Sequence, residues 1–145
     1  MTVVLPNSGD RNWSTRLNTA ISGIDTRVTT LESKLIPQQL KTAPTTYSLA
    51  LTDAGKHIYA SGTGLVQVTI PSNTSAAFVI GTIVRLVTSD TATLRISRTN
   101  TSTTTLVCEG LASNQTYNIS ANRIVTLLKV GAERWILSGT GLTVN

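Results

Sequence analysis

A chain of 145 residues with 40% hydrophobic side chains has room for one domain plus an arm, and an aromatic share of 4% means that Val, Ile and Leu build its core. Charged residues make up 13%, about half of what soluble domains usually carry, and threonine alone outnumbers them, 26 against 19. The net charge of +5 is spread over twelve Lys and Arg with no basic run, and two Trp, three Tyr and one Phe give little for base stacking, which argues against a nucleic-acid partner.

A lone cysteine, Cys108, excludes an internal disulfide framework and a cysteine-based metal site, and its apolar neighbours Leu106 and Val107 predict a buried structural thiol. The start Met1-Thr-Val-Val-Leu-Pro6 lacks the basic segment and long apolar run of a signal peptide. No run reaches the ~18 apolar residues of a membrane span. The expectation is a soluble protein that does not engage a membrane.

Residues 1–12 read as an extended arm. Pro6 opposes early helix, Asn7-Ser-Gly9 is turn-forming, and Asp10, Asn12 or Ser14 can cap a helix that starts near Trp13. Val3, Val4, Leu5 and Trp13 have no polar reason to face water. They form either a docking element for another protein or a patch that folds back onto its own oligomer.

Residues 13–36 read as a helix with a coiled-coil seam. Leu17, Ile21, Ile24, Val28, Leu31 and Leu35 step by four, three, four, three and four, with Ile21, Val28 and Leu35 at a and Leu17, Ile24 and Leu31 at d. Asp25 and Glu32 fall at e, Arg27 and Lys34 at g, so Arg27 of one chain can reach Glu32 of its neighbour in a parallel bundle. Each such exposed pair is worth ~0.5 kcal/mol. Isoleucine at both a and d favours trimers, whereas Val28 with Leu31 favours dimers, so the seam leaves the number of chains open. An amphipathic helix lying on its own domain is the other reading. The seam spans only ~29 Å at ~1.5 Å per residue, and Gly23 costs a further ~1 kcal/mol relative to Ala. Further contacts must help to hold the chains together.

Residues 37–46, with Pro37 and Pro44 and no periodicity, read as a linker. From Tyr47 onward, short β runs are broken by turns. Val66, Val68 and Ile70 share one face with Gln67 and Thr69 opposite, and Leu94 and Ile96 point in while Arg95 points out. Strands are expected at 56–60, 64–70, 82–88, 92–97, 105–109, 116–119, 123–130 and 134–138. Their even spacing predicts an antiparallel sandwich or barrel, jelly-roll-like, over 47–145.

The seven acids are spaced so that no two lie within six residues of one another, and His57 is the only histidine. No spacing suggests general acid–base or metal chemistry. Asp53 reads as a turn residue bonding nearby backbone N–H groups, and His57 as a strand residue or an interface contact. Gly62-Thr-Gly64 lacks the Gly-Lys-Ser/Thr of a phosphate loop. The chain is therefore expected not to be an enzyme and to need no cofactor.

Tyr47-Ser-Leu-Ala-Leu-Thr-Asp-Ala-Gly-Lys56, Val68-Thr-Ile-Pro71, Ile80-Gly-Thr82, Leu128-Lys-Val-Gly131 and Trp135-Ile-Leu-Ser-Gly139 together resemble small β domains of bacteriophage virion proteins, in tail fibres and related surface appendages. Leu5-Pro-Asn-Ser-Gly-Asp10 with Trp13, Leu17-Asn18 and Ile24-Asp25 is similar to the N-terminal start of many phage appendage proteins, where it attaches a trimer to the particle. The resemblance covers most of the chain through short matches and carries no catalytic residues. It implies a homotrimeric structural protein of the virion surface, assembled in the host cytoplasm and bound to a capsid or other virion protein through its arm. A short trimer with one head suits a capsid decoration, cement or head-fibre protein. A short tail fibre that recognises a host-surface glycan is the alternative.

Overall fold

The structure, a computed structural model, describes residues 13–32 and 37–145, and at Trp13, Ser14, Arg16 and 29–32 the backbone alone. The chain divides into two units, residues 1–36 and 37–145. The expected arm, with Val3, Val4 and Leu5, lies outside the described residues, as does Leu35.

In the first unit a single helix, α1, spans Trp13–Glu32. Two of its threonines turn their hydroxyls back onto the preceding turn, Thr19 Oγ1 donating to Thr15 O and Thr26 Oγ1 to Ser22 O, both at 2.9 Å. Back-bonding of this kind hides a polar group within the helix itself.

The second unit is mainly β. Its strands are β1 (Gln38–Thr42), β2 (Thr45–Ser48), β3 (His57–Ser61), β4 (Gly64–Ile70), β5 (Ile83–Thr88), β6 (Ala92–Arg98), β7 (Thr105–Cys108), β8 (Tyr117–Ile119), β9 (Ile124–Gly131), β10 (Arg134–Gly139) and β11 (Leu142–Val144). They form a six-stranded sheet in the order β1-β3-β5-β9-β10-β7 and a five-stranded sheet in the order β11-β8-β6-β4-β2. Period-two alternation drives the inward residues of both sheets into one core, where Ile58, Val68, Leu86, Leu94, Ile96, Tyr117, Leu127 and Leu137 are fully buried. Cys108 lies among them, as its neighbours predict.

Two expectations need correction. Residues 37–46 are not a free linker, because β1 and β2 occupy most of them and β1 pairs along its whole length with β3. Pro37 and Pro44 fall just outside the two strands, where a missing N–H costs no ladder bond. The sheets are also mixed rather than antiparallel. β1, β3 and β5 run parallel to one another, as do β2, β4 and β6.

The cause is that the chain crosses to the other sheet after each of its first eight strands, and through β6 each neighbour added to a sheet runs in the same direction as the last. The tight connection at 61–64 carries the chain from β3 in one sheet to β4 in the other. Gly62 makes that crossing with φ +77° and sits so close to β1's end that a Cβ would meet Thr42 Cγ2 at 3.2 Å. Antiparallel pairing enters late, where β9 turns back between β5 and β10 and β8 lies against β6.

Candidate interaction surfaces

The side chains of Ile21, Ile24 and Val28 are 48%, 49% and 45% exposed along α1, while Leu17 is half-buried. The four lie at the spacing of one helix stripe. Arg27 is exposed beside it. The side chains of Trp13, Leu31 and Glu32 lie outside the described residues, so the Arg27–Glu32 pairing is not defined here.

A second apolar surface, which no sequence pattern announced, covers the outside of the six-stranded sheet. Register aligns Leu40, Tyr59, Val87 and Ile124 in one row across β1, β3, β5 and β9. Ile83, Leu128, Ile136 and Val107 make another across β5, β9, β10 and β7. Between them runs a polar row, Gln38, His57, Arg85, Thr126 and Ser138. His57 Nε2 pairs with Gln38 Oε1 at 3.1 Å, and Ser138 Oγ donates to Glu109 Oε2 at 3.2 Å. His57 is thus a strand residue on an outer face.

The outer face of the five-stranded sheet has the opposite character. Thr46, Gln67, Arg95, Asn118 and Thr143 form one row across all five strands, and Ser48, Thr69 and Ser97 form another. Arg95 Nε donates to Asn118 Oδ1 at 3.1 Å. A depression of about 310 Å³ lies here between Leu65, Thr93, Arg95, Asn118, Ile119 and Ser120. A second, of about 410 Å³, lies between Pro44, Thr45, Thr46, Leu65 and Gln67. The six-stranded sheet therefore presents two apolar rows on either side of a polar one, whereas the rows of the five-stranded sheet are polar.

Two polar clusters lie inside the fold. Asp53, fully buried, accepts the Ala50 N–H at 2.7 Å, the Tyr47 hydroxyl at 2.9 and 3.0 Å, and the Gln39 amide. It is the turn acceptor that the sequence suggested, with two side-chain donors that sequence spacing could not reveal. Burial, then the hydrogen bond and charge of Asp53, push the Tyr47 phenol up to about 12. Lys41 Nζ sits 3.6 Å from the centre of the Tyr47 ring, a cation–π contact that ties β1 to β2.

The other cluster holds Lys129, 1% exposed on the inward side of β9, with Nζ 2.7 Å from Asn73 Oδ1 and 5.6 Å from the centre of the Trp135 ring. Among the described residues no three His, Cys, Asp or Glu side chains gather to hold a metal ion, and no helix is long and apolar enough to cross a membrane. In comparisons with known proteins, the chain matches no family model and no curated protein.

Proposed function

We propose that this chain is a structural protein that works as a symmetric oligomer, built by the helix stripe and the apolar face of the six-stranded sheet together. More particularly, it is a homotrimeric bacteriophage virion protein, held to the particle by its N-terminal arm as a capsid decoration, cement or head-fibre protein.

The observation that supports the oligomer is the coincidence of two apolar surfaces with exposed residues on one short chain. Only residues 33–36 separate the end of α1 from Pro37. At ~3.5 Å per residue, five chain steps span at most ~18 Å. Because α1 and the β unit belong to one chain, copies joined through α1 raise the concentration at which their sheet faces meet. Each contact raises the effective concentration for the other. A seam of under three heptads, marginal alone, gains the further contacts that it needs.

The resemblance to phage appendage proteins supports the trimer and the virion location. Val3, Val4, Leu5 and Trp13 supply the docking group, three copies of which on one axis act through avidity. A second reading, a short fibre whose head binds a host-surface glycan, is favoured by the polar rows and depressions of the five-stranded sheet.

The test is deletion of residues 1–13. The truncated protein is expected to remain a folded oligomer and to lose binding to particles stripped of the native protein. Unchanged occupancy on such particles would refute the arm as anchor. Retention of an oligosaccharide by the isolated head, abolished by Arg95→Ala, would favour the second reading.

A further inference from the structure

Lys129 is a poor choice for a structural core position. Its amine bonds a neutral amide rather than a carboxylate, under the edge-to-face pair of Phe78 and Trp135, whose ring centres are 5.3 Å apart. Burying an ammonium against a neutral partner is costly. A leucine or methionine would fill the space without that cost.

The surrounding groups give the arrangement a chemical meaning. With Nζ 2.7 Å from Oδ1 and a C=O bond of ~1.23 Å, the amine lies at most about 3.9 Å from the Asn73 carboxamide carbon. That is close to the separation of a near-attack pair. The Asn73 backbone N–H donates to Glu133 Oε1 at 2.9 Å, and Thr104 Oγ1 donates to Glu133 Oε2 at 3.0 Å, so a carboxylate is fixed at the same residue as the amide. Ser72, buried just before Asn73, bonds the hydroxyls of Thr74 and Ser75 and holds the segment in place. The amine of Lys129 thus meets the side chain of Asn73 beside Trp135, while the carboxylate of Glu133 is held on the backbone of the same asparagine.

We infer that Lys129 and Asn73 join in an intramolecular isopeptide bond, formed by the fold itself with Glu133 as the proton-transfer group. The Lys129 ammonium first gives a proton to Glu133 through a bridging water. The free amine adds to the Asn73 carboxamide carbon, and the C–N bond to the side-chain nitrogen then breaks. Nζ keeps one hydrogen in the new amide. The two protons that it gives up leave with the departing nitrogen, which is released as ammonium, and Glu133 ends as a carboxylate. No oxidant, metal or co-reactant enters. Burial lowers the Lys129 pKa, against the charge of Glu133 which raises it, and so favours the nucleophilic form. The bond would tie β9 in the six-stranded sheet to the segment that follows β4 in the other, across 56 residues.

Intact mass spectrometry of the folded full chain, followed by peptide mapping, tests this. The wild type is expected to weigh one ammonia less than its sequence and to yield a branched peptide joining the Asn73 and Lys129 segments. Succinimide formation at an asparagine loses the same mass, so the branched peptide is decisive. Lys129→Met and Asn73→Ala should each restore the mass and abolish the branch, and Glu133→Gln should leave most of the chain unjoined while still folded. A folded wild type at full sequence mass with no branched peptide after prolonged incubation would overturn the proposal, even if the variants fail to fold. Full crosslinking of Glu133→Gln would overturn the role given to Glu133.

Discussion

Leu128→Asp probes the apolar sheet face without touching the core. Leu128 points outward from β9 between Ile83 and Ile136 and is half-buried in the isolated chain, so the substitution costs the fold itself about 1 kcal/mol. In the oligomer the new carboxylate is buried without a partner. Taking ~3 kcal/mol as the cost of each unpaired buried charge, at 1.4 kcal/mol per decade each copy weakens assembly by a factor of about 100 or more. Three copies approach a millionfold. Light scattering over a concentration series should show the variant dissociated where the wild type is assembled, with an unchanged circular dichroism spectrum. Thr46→Asp, outward on the polar sheet, should assemble like the wild type. Equal assembly of the Leu128 and Thr46 variants would refute the sheet face as an interface.

Ile24→Asp should dissociate the oligomer far more than Thr26→Asp two residues on, because the first places converging carboxylates in the helix stripe; sedimentation velocity distinguishes them, and equal stability would contradict the register. The Tyr47 phenol gives an alkaline signature. Its folded pKa of about 12 exceeds the ~10 of an unfolded chain, so the neutral phenol's contribution is complete below pH ~10 and is lost as pH rises towards 12. Denaturant midpoints should fall over that window in the wild type by an amount worth at most ~2 kcal/mol, and fall less in Tyr47→Phe. An identical alkaline slope in both proteins would exclude the Tyr47–Asp53 pair as its source.

Strand positions were legible in the sequence wherever inward and outward residues differ in polarity. Val66, Val68 and Ile70 alternate with Gln67 and Thr69, and Leu94 and Ile96 flank Arg95, all as the burial shows. Strand direction was not legible, since a period of two is the same in parallel and antiparallel ladders. β1 and β2 were hidden because their inward positions carry Gln39, Lys41 and Tyr47; Gln39 and Tyr47 bond Asp53 farther along the chain, and Lys41 lies on the Tyr47 ring.

The apolar outer face escaped notice because it exists only across strands. No single strand contributes more than three of its residues, and in β9 the polarity is inverted, with Lys129 inward and Leu128 outward. The Lys129–Asn73–Glu133 cluster joins residues 56 and 60 positions apart. Only folding reveals such a convergence.

The most direct test of the oligomer on which the whole account rests is the mass of the intact chain in solution at micromolar concentration. Light scattering is expected to give three times the chain mass of 15.4 kDa. A species of 15.4 kDa at every concentration would contradict the proposed use of both apolar surfaces, and with it the reading of this protein as a trimeric virion component.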